Sequence, residues 1–417
     1  MSRRTMHRTH AMLGSTTAAD GLAALGLLAS PWTLVRGDAI ERYERAFAAR
    51  LGARHAISCS AARIGLYGLL GCLDVGTGDE VMLQVPTHAV VVNAIRYRGA
   101  TPVFVDCEPR TANIDLDAAE RLLTPRTRVL LLQHTFGVPA DLDRARALAE
   151  RHDLVVLEDA VHSLGSRFRG VPIGRFGRAA FFSTEESKTM STTMGGMVVT
   201  DDDELADDLR RAQAEWPWPS GREVARYLVK YVAYGVLLEP RVHHVSRLVY
   251  ERSGGRHPFV RPSSAVERRG DRPKDYERRL ANAQARLGLR ALAHLDANVA
   301  HRRRIAAIYA ARLPHGGGLG AGDERMEASH VRFPVVVRDR QEALDALAPH
   351  VRGDVWFDQT VQAATDVERF GYVPGSCPVA EHLAAHLVNL PTHPHVRDVD
   401  ATLLAEVLAP HVVTADG

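Results

Sequence analysis

Between about residues 50 and 200 the chain alternates short apolar runs with stretches of helical periodicity, and no other feature restricts its fold as much. Apolar runs over 55–59, 81–85, 102–105, 128–133, 154–157, 179–183 and 196–200 read as strands. Segments 66–73, 88–97, 116–123 and 142–151 between them read as helices. Strands that are apolar on both faces belong in a sheet covered on both sides, and strand–helix alternation makes that sheet mostly parallel. The expectation is an α/β fold with a mostly parallel seven-stranded central sheet. In such sheets ligands bind beyond the carboxyl ends of the strands. Asp106, His134, Asp159 and Ser183 all fall at or just past those ends.

Composition narrows the class. The 417 residues carry a net charge of +2, with 24% charged and 46% hydrophobic residues, which excludes disordered, coiled-coil and collagen-like chains. That balance offers no basic excess for nucleic acid. The four cysteines, Cys59, Cys72, Cys107 and Cys377, are too scattered for a disulfide scaffold or a C-x-x-C metal site. No metal is expected, and reduced thiols suit a cytoplasmic protein. No run of about 18 apolar residues could span a membrane. Arg3 and Arg4 precede a mildly apolar stretch, but Asp20 interrupts it, so residues 1–31 read as a flexible extension rather than an export signal.

Residues 32–215 then form a large domain, and 216–275 break its pattern as an insertion. Helical pieces over 222–238 and 242–250 lead there into a loop over 251–275 rich in Arg, Gly, Pro and Ser. The aromatic and basic residues Tyr227, Lys230, Tyr231, Tyr234 and Arg241 allow three uses: a cap on the site, contact with a membrane surface or carrier protein, or packing on the parent domain or on a dimer mate. Residues 276–417 read as one long helix over 276–312 and a small C-terminal α/β domain with strands at 331–337 and near Val355.

The chemistry centres on Asp159 and Lys188. Asp159 ends an apolar strand, and Lys188 follows the next one in Ser183-Thr184-Glu185-Glu186-Ser187-Lys188. A lysine amine able to form a Schiff base, and a carboxylate able to pair with a pyridinium nitrogen, are what a pyridoxal phosphate enzyme requires. Ser183 is a candidate phosphate ligand.

Several blocks then occur in order: Gly78-Asp79-Glu80-Val81 with Pro86; Gly99-Ala100-Thr101-Pro102-Val103-Phe104-Val105-Asp106; His134 with Gly137 and Pro139; Glu158-Asp159-Ala160; Gly195-Gly196-Met197-Val198; and Asn389-Leu390-Pro391-Thr392-His393-Pro394. With them the chain resembles the DegT/StrS family of pyridoxal phosphate sugar aminotransferases, of the fold type I architecture. The resemblance implies that Lys188 is the Schiff-base lysine and catalytic base and Asp159 the pyridinium partner. It places His162 by the phenolic oxygen, and Ser183 on the phosphate with the helix start at Ala61, Ala62 and Arg63. It also implies a homodimer with shared sites, an amino donor such as Glu or Gln, pyridoxamine phosphate as the carrier form, and a keto sugar or cyclitol as acceptor.

The chain departs from the family pattern at Thr193-Met194 before the double glycine, in the acids Glu185 and Glu186 before the lysine, and at two further places. Pro86-Thr87-His88-Ala89-Val90 lacks the usual stacking aromatic, leaving His88 as the flat side chain for that place. Glu277 stands where relatives carry an Asn directed at the partner's phosphate, and a carboxylate there would repel it. Two rival functions therefore stay open: a different reaction on the same cofactor, such as elimination or bond formation at carbon, and a regulatory relative that binds the cofactor without turnover.

Overall fold

A computed structural model describes residues 14–237, 263–316, 318–320, 322–351 and 355–413. The second helix expected in the insertion, over 242–250, lies outside the described residues. Seven strands form the central sheet: β1 His55–Cys59, β2 Glu80–Gln84, β3 Thr101–Val105, β4 Thr127–Gln133, β5 Val155–Asp159, β6 Ala179–Ser183 and β7 Gly196–Thr200. Their spatial order is β1-β7-β6-β5-β4-β2-β3, and β7 alone runs antiparallel to its neighbours.

The period of two along each strand sorts its apolar residues between two cores. Leu83, Val129, Leu131, Phe181 and Val198 face one side, under helices Ala62–Cys72 and Ala89–Arg96. Met82, Leu130, Leu132, Phe182 and Met197 face the other, under helices Ala39–Leu51 and Asn282–Ala293. A third apolar cluster joins strands Phe333–Val336 and Leu387–Leu390 to helices Leu295–Arg312 and Asp398–Leu408. The four cysteines are free, and no described helix is long and apolar enough to cross a membrane.

The structure departs from the sequence reading at three points. First, the described part of the amino-terminal extension is ordered against the body. Helix Ala18–Leu28, started by a Thr17–Asp20 capping box, packs on helix Gly221–Leu237 and buries Ala24 and Leu27 with Val224, Leu228 and Tyr231. Its apolar face is enough to hold it there. Packing on the parent body is thus what the described half of the insertion does. Second, the single long helix over 276–312 is two, Asn282–Ala293 and Leu295–Arg312, broken at His294 (φ −106°, ψ 3°). Third, the strand near Val355 is displaced to Val361–Gln362, which pairs in parallel with Thr87–His88. Residues 355–357 are irregular.

Candidate active site

Asp159 ends β5, paired through β4 with Gln133 and through β6 with Phe181. The sheet therefore fixes its height. The side chain is buried, and its Oδ1 accepts the Val161 N–H at 3.2 Å. Burial pushes its pKa up to about 6, and the positive charge of Lys188 works against that rise. A buried carboxylate of this kind calls for a cation opposite it.

Register places the other candidates on the same edge. Gly196 of β7 lies between Cys59 of β1 and Ser183 of β6. Helix Ala62–Cys72 starts there, with Ala61 as its cap residue, so its free N–H groups open onto Ser183's neighbourhood. A Cβ on Gly196 would come within 2.5 Å of the Ala62 nitrogen, and one on Gly195 within 2.4 Å of Thr184 Oγ1. The double glycine thus keeps a cradle open between strand and helix. Ser183 Oγ accepts the Glu185 N–H at 3.3 Å and is half-buried.

Lys188 sits in the loop between β6 and β7. Thr184 and Thr192 bind each other across the loop's base through backbone and hydroxyl groups, at 2.8 and 2.7 Å. The grip beyond that comes from far along the chain. Ser15 Oγ donates to the Thr189 carbonyl at 2.6 Å, and Asn298 Nδ2 to the same carbonyl at 2.5 Å. Tyr231 Oη donates to the Ser191 carbonyl at 3.0 Å, and Lys230 pairs with Glu186 at 2.5 Å. Arg302, fully buried, donates to Ser15, Asn298, Thr392 and the Val331 carbonyl, tying this grip to the carboxyl-terminal cluster. Burial pulls the Lys188 amine down to about 8, against Glu185 and Asp159, which favour its charged form.

His162 follows Asp159 by three residues and is buried. Its Nδ1 accepts the Phe136 N–H at 3.3 Å, which leaves the proton on Nε2. Burial, and then the charge of Lys188, hold it neutral. His88 accepts the Val90 N–H through Nδ1 at 3.2 Å and so caps its own helix. Burial first, then Lys188 and Arg63, press its pKa to about 3.

Two charged side chains considered for the site are paired within the chain. Arg63 Nε lies 2.6 Å from Glu267, whose carboxylate is 2% exposed and needs a cation, so the guanidinium is committed there. The backbone N–H of Arg63 belongs to the helix start beside Ser183. Glu277 is neutralised by Arg272 at 2.5 Å. His134, also flagged at a strand end, is structural: it pairs with buried Glu158 at 3.2 Å and accepts the Ala140 N–H.

Sequence reasoning missed Trp356. Its indole stacks on His162 with centroids 4.5 Å apart and planes 19° apart, and Lys188 Nζ lies 4.3 Å from the indole centroid. The half-buried ring supplies an aromatic at the site that the segment after Pro86 lacks. The one signal in the sequence was a tryptophan beside a phenylalanine, Trp356-Phe357, in a stretch without periodicity.

A parallel sheet with a buried carboxylate and a lysine at its carboxyl edge defines a class, and comparison with known proteins gives the family. Residues 17–238 and 251–409 match the DegT/DnrJ/EryC1/StrS aminotransferase family. The chain belongs to that family, and its architecture is that of the fold type I aminotransferases. The unmatched residues 239–250 fall inside the stretch read as an insertion. GDP-perosamine synthase of Caulobacter vibrioides is 38% identical over 191 residues, 46% of this chain and 52% of that protein. The chain thus aligns with about half the length of that relative. The spore coat polysaccharide biosynthesis protein SpsC of Bacillus subtilis is 29% identical over 93% of both chains. The crystal structure of DesV from S. venezuelae superposes with a TM-score of 0.74 at 28% identity, covering 94% of each chain.

Proposed function

We propose that this protein is a pyridoxal phosphate aminotransferase that moves an amino group from Glu or Gln to a keto group on a nucleotide-linked sugar or a cyclitol. The observation that carries the reading is Asp159 and Lys188 on adjacent edges of one buried site, beside a glycine-lined helix start. The donor set fits the cofactor. Asp159 would face the ring nitrogen, His162 Nε2–H the phenolic oxygen, and His88 one face of the ring. Ser183 and the amides at Ala61, Ala62 and Arg63 would hold the phosphate. Pyridoxal phosphate bound there supplies an electron sink and, as pyridoxamine phosphate, stores the amino group.

The chain's own residues do the rest. With its pKa near 8, the Lys188 amine can take a proton at a donor's α-carbon and return it near neutral pH. Asp159 keeps a proton on the nitrogen it faces, because a cation there lowers the carboxylate's own pKa from about 6. His162 donates from Nε2 without competing for the proton. The relatives' names, GDP-perosamine synthase and polysaccharide biosynthesis protein, support a sugar acceptor. A homodimer acting in the cytoplasm is part of the same reading.

The test is a two-stage assay. Purified protein loaded with pyridoxal phosphate is mixed with Glu or Gln alone, and 2-oxo acid is measured. A nucleotide-linked keto sugar is then added, and amino sugar is measured. Oxo acid in the first stage and amino sugar in the second are expected. Oxo acid without transfer to any keto sugar or cyclitol would remove the acceptor assignment. Elimination products would favour the rival reaction on the same cofactor.

A further inference from the structure

Three groups converge on the Trp356 indole. Besides the stacked His162 and the Lys188 amine, the guanidinium of fully buried Arg332 lies 5.0 Å from its centroid. The ring is locally fixed. The next residue, Phe357, has φ +61°, a conformation that bulky side chains rarely adopt, and packs edge-on against Phe136 at 5.5 Å. Phe136 is itself at φ +56° and supplies the N–H that His162 accepts. Two strained aromatic residues in contact, both touching His162, mark a place where the fold maintains a geometry against local preference.

We propose that Trp356 is a positioning residue for the reaction, holding the Lys188 amine and the His162 ring in fixed relation on one indole that also carries Arg332. This rests on Lys188 being the reacting amine of the function proposed above. Burial lowers the proton affinity of that amine most, and the charges around it adjust the value. Glu185 and Asp159 favour its charged form, Arg332 disfavours it, and His88 and His162 face it as neutral rings. The electron-rich indole face adds a further preference for the ammonium form. Trp356 and Arg332 therefore act on Lys188 with opposite signs, which a merely structural role for Trp356 would not produce.

The test uses cofactor-free full-length protein. Lys188 is labelled by reductive methylation across a pH series and quantified by peptide mass spectrometry. Trp356→Leu removes the ring face while keeping an apolar side chain, and should lower the labelling midpoint of Lys188 by roughly half a unit to one unit. Trp356→Phe should restore most of the difference. Arg332→Met should raise the midpoint, and Arg332→Lys should leave it near the parent value. An unchanged or raised midpoint in Trp356→Leu overturns the proposal. Where Arg332→Met does not fold, the Leu and Phe variants of Trp356 still decide it. The labelling needs no turnover, so a failure of the aminotransferase reading would show separately in the two-stage assay.

Discussion

The two halves of the candidate site are held in different ways. Asp159 and His162 stand on or just after β5, and they are positioned through next-neighbour strands and two backbone donors, Val161 N–H and Phe136 N–H. Lys188 stands on a loop whose anchors come from residues 15, 230, 231 and 298. The Ser15–Thr189 bond alone spans 174 residues of sequence. One half is rigid by secondary structure and the other by borrowed tertiary contacts. The halves should therefore fail differently when perturbed.

Removing the reacting groups gives the largest effect. Lys188→Arg should lower the rate of oxo-acid formation from the donor by about a thousandfold or more. Circular dichroism should show the fold intact. A loss of less than tenfold would mean that another group moves the proton.

The next contrast separates stability from activity. Leu131 is buried beneath the strand-borne half, so Leu131→Ala should cost about 3 kcal/mol in denaturant unfolding while leaving turnover per folded molecule within about twofold. Asp159→Asn should do the reverse. The folded-state pKa of Asp159, about 6, lies above its ordinary value of 3.8. The buried carboxyl group thus favours folding while protonated, and that advantage disappears as pH rises through 6. At pH 7 the ionised group therefore destabilises the cofactor-free protein, by about 3 kcal/mol for a shift of this size. The Asn variant should melt higher than the parent at pH 7 without cofactor, show no gain at pH 3.5, and lose most of its activity. Equal melting of the two at pH 7 would contradict the burial argument.

The smallest effect probes the borrowed contacts. Ser15→Ala removes a donor to the lysine loop, and Asn298→Ala removes another. Each should cost about 1 kcal/mol of stability yet lower turnover several-fold, because the loop's geometry depends on them. If turnover falls only in step with the folded fraction, the loop is held by its own threonine clasp and the contrast between the halves is lost.

The same contrast explains what was legible in the sequence. The sheet, Asp159, Ser183 and Lys188 follow from local signals, since apolar runs end in polar residues where a parallel sheet presents its ligand edge. The helix start at Ala61, Ala62 and Arg63 came only from the family resemblance, since local periodicity began that helix at residue 66, four residues late. The grip on Lys188 was not legible, because its anchors lie in the amino-terminal segment, the supposed insertion and, at Asn298, a helix more than a hundred residues further on, all remote when read by periodicity. The pairing of Arg63 with Glu267 crosses about 200 residues, and no spacing rule connects them. Trp356 reaches the site because Val361–Gln362 pairs with Thr87–His88, a two-residue ladder too short to leave a pattern.

The site's central assignment can be tested on the three lysines of the sequence, Lys188, Lys230 and Lys274. Protein loaded with pyridoxal phosphate is reduced with borohydride, digested and mapped by mass spectrometry. The phosphopyridoxyl group is expected on Lys188, at close to one per chain, with Lys230 spared by its buried pairing with Glu186. Label distributed over Lys230 or the loop residue Lys274, or absent from Lys188, would contradict it.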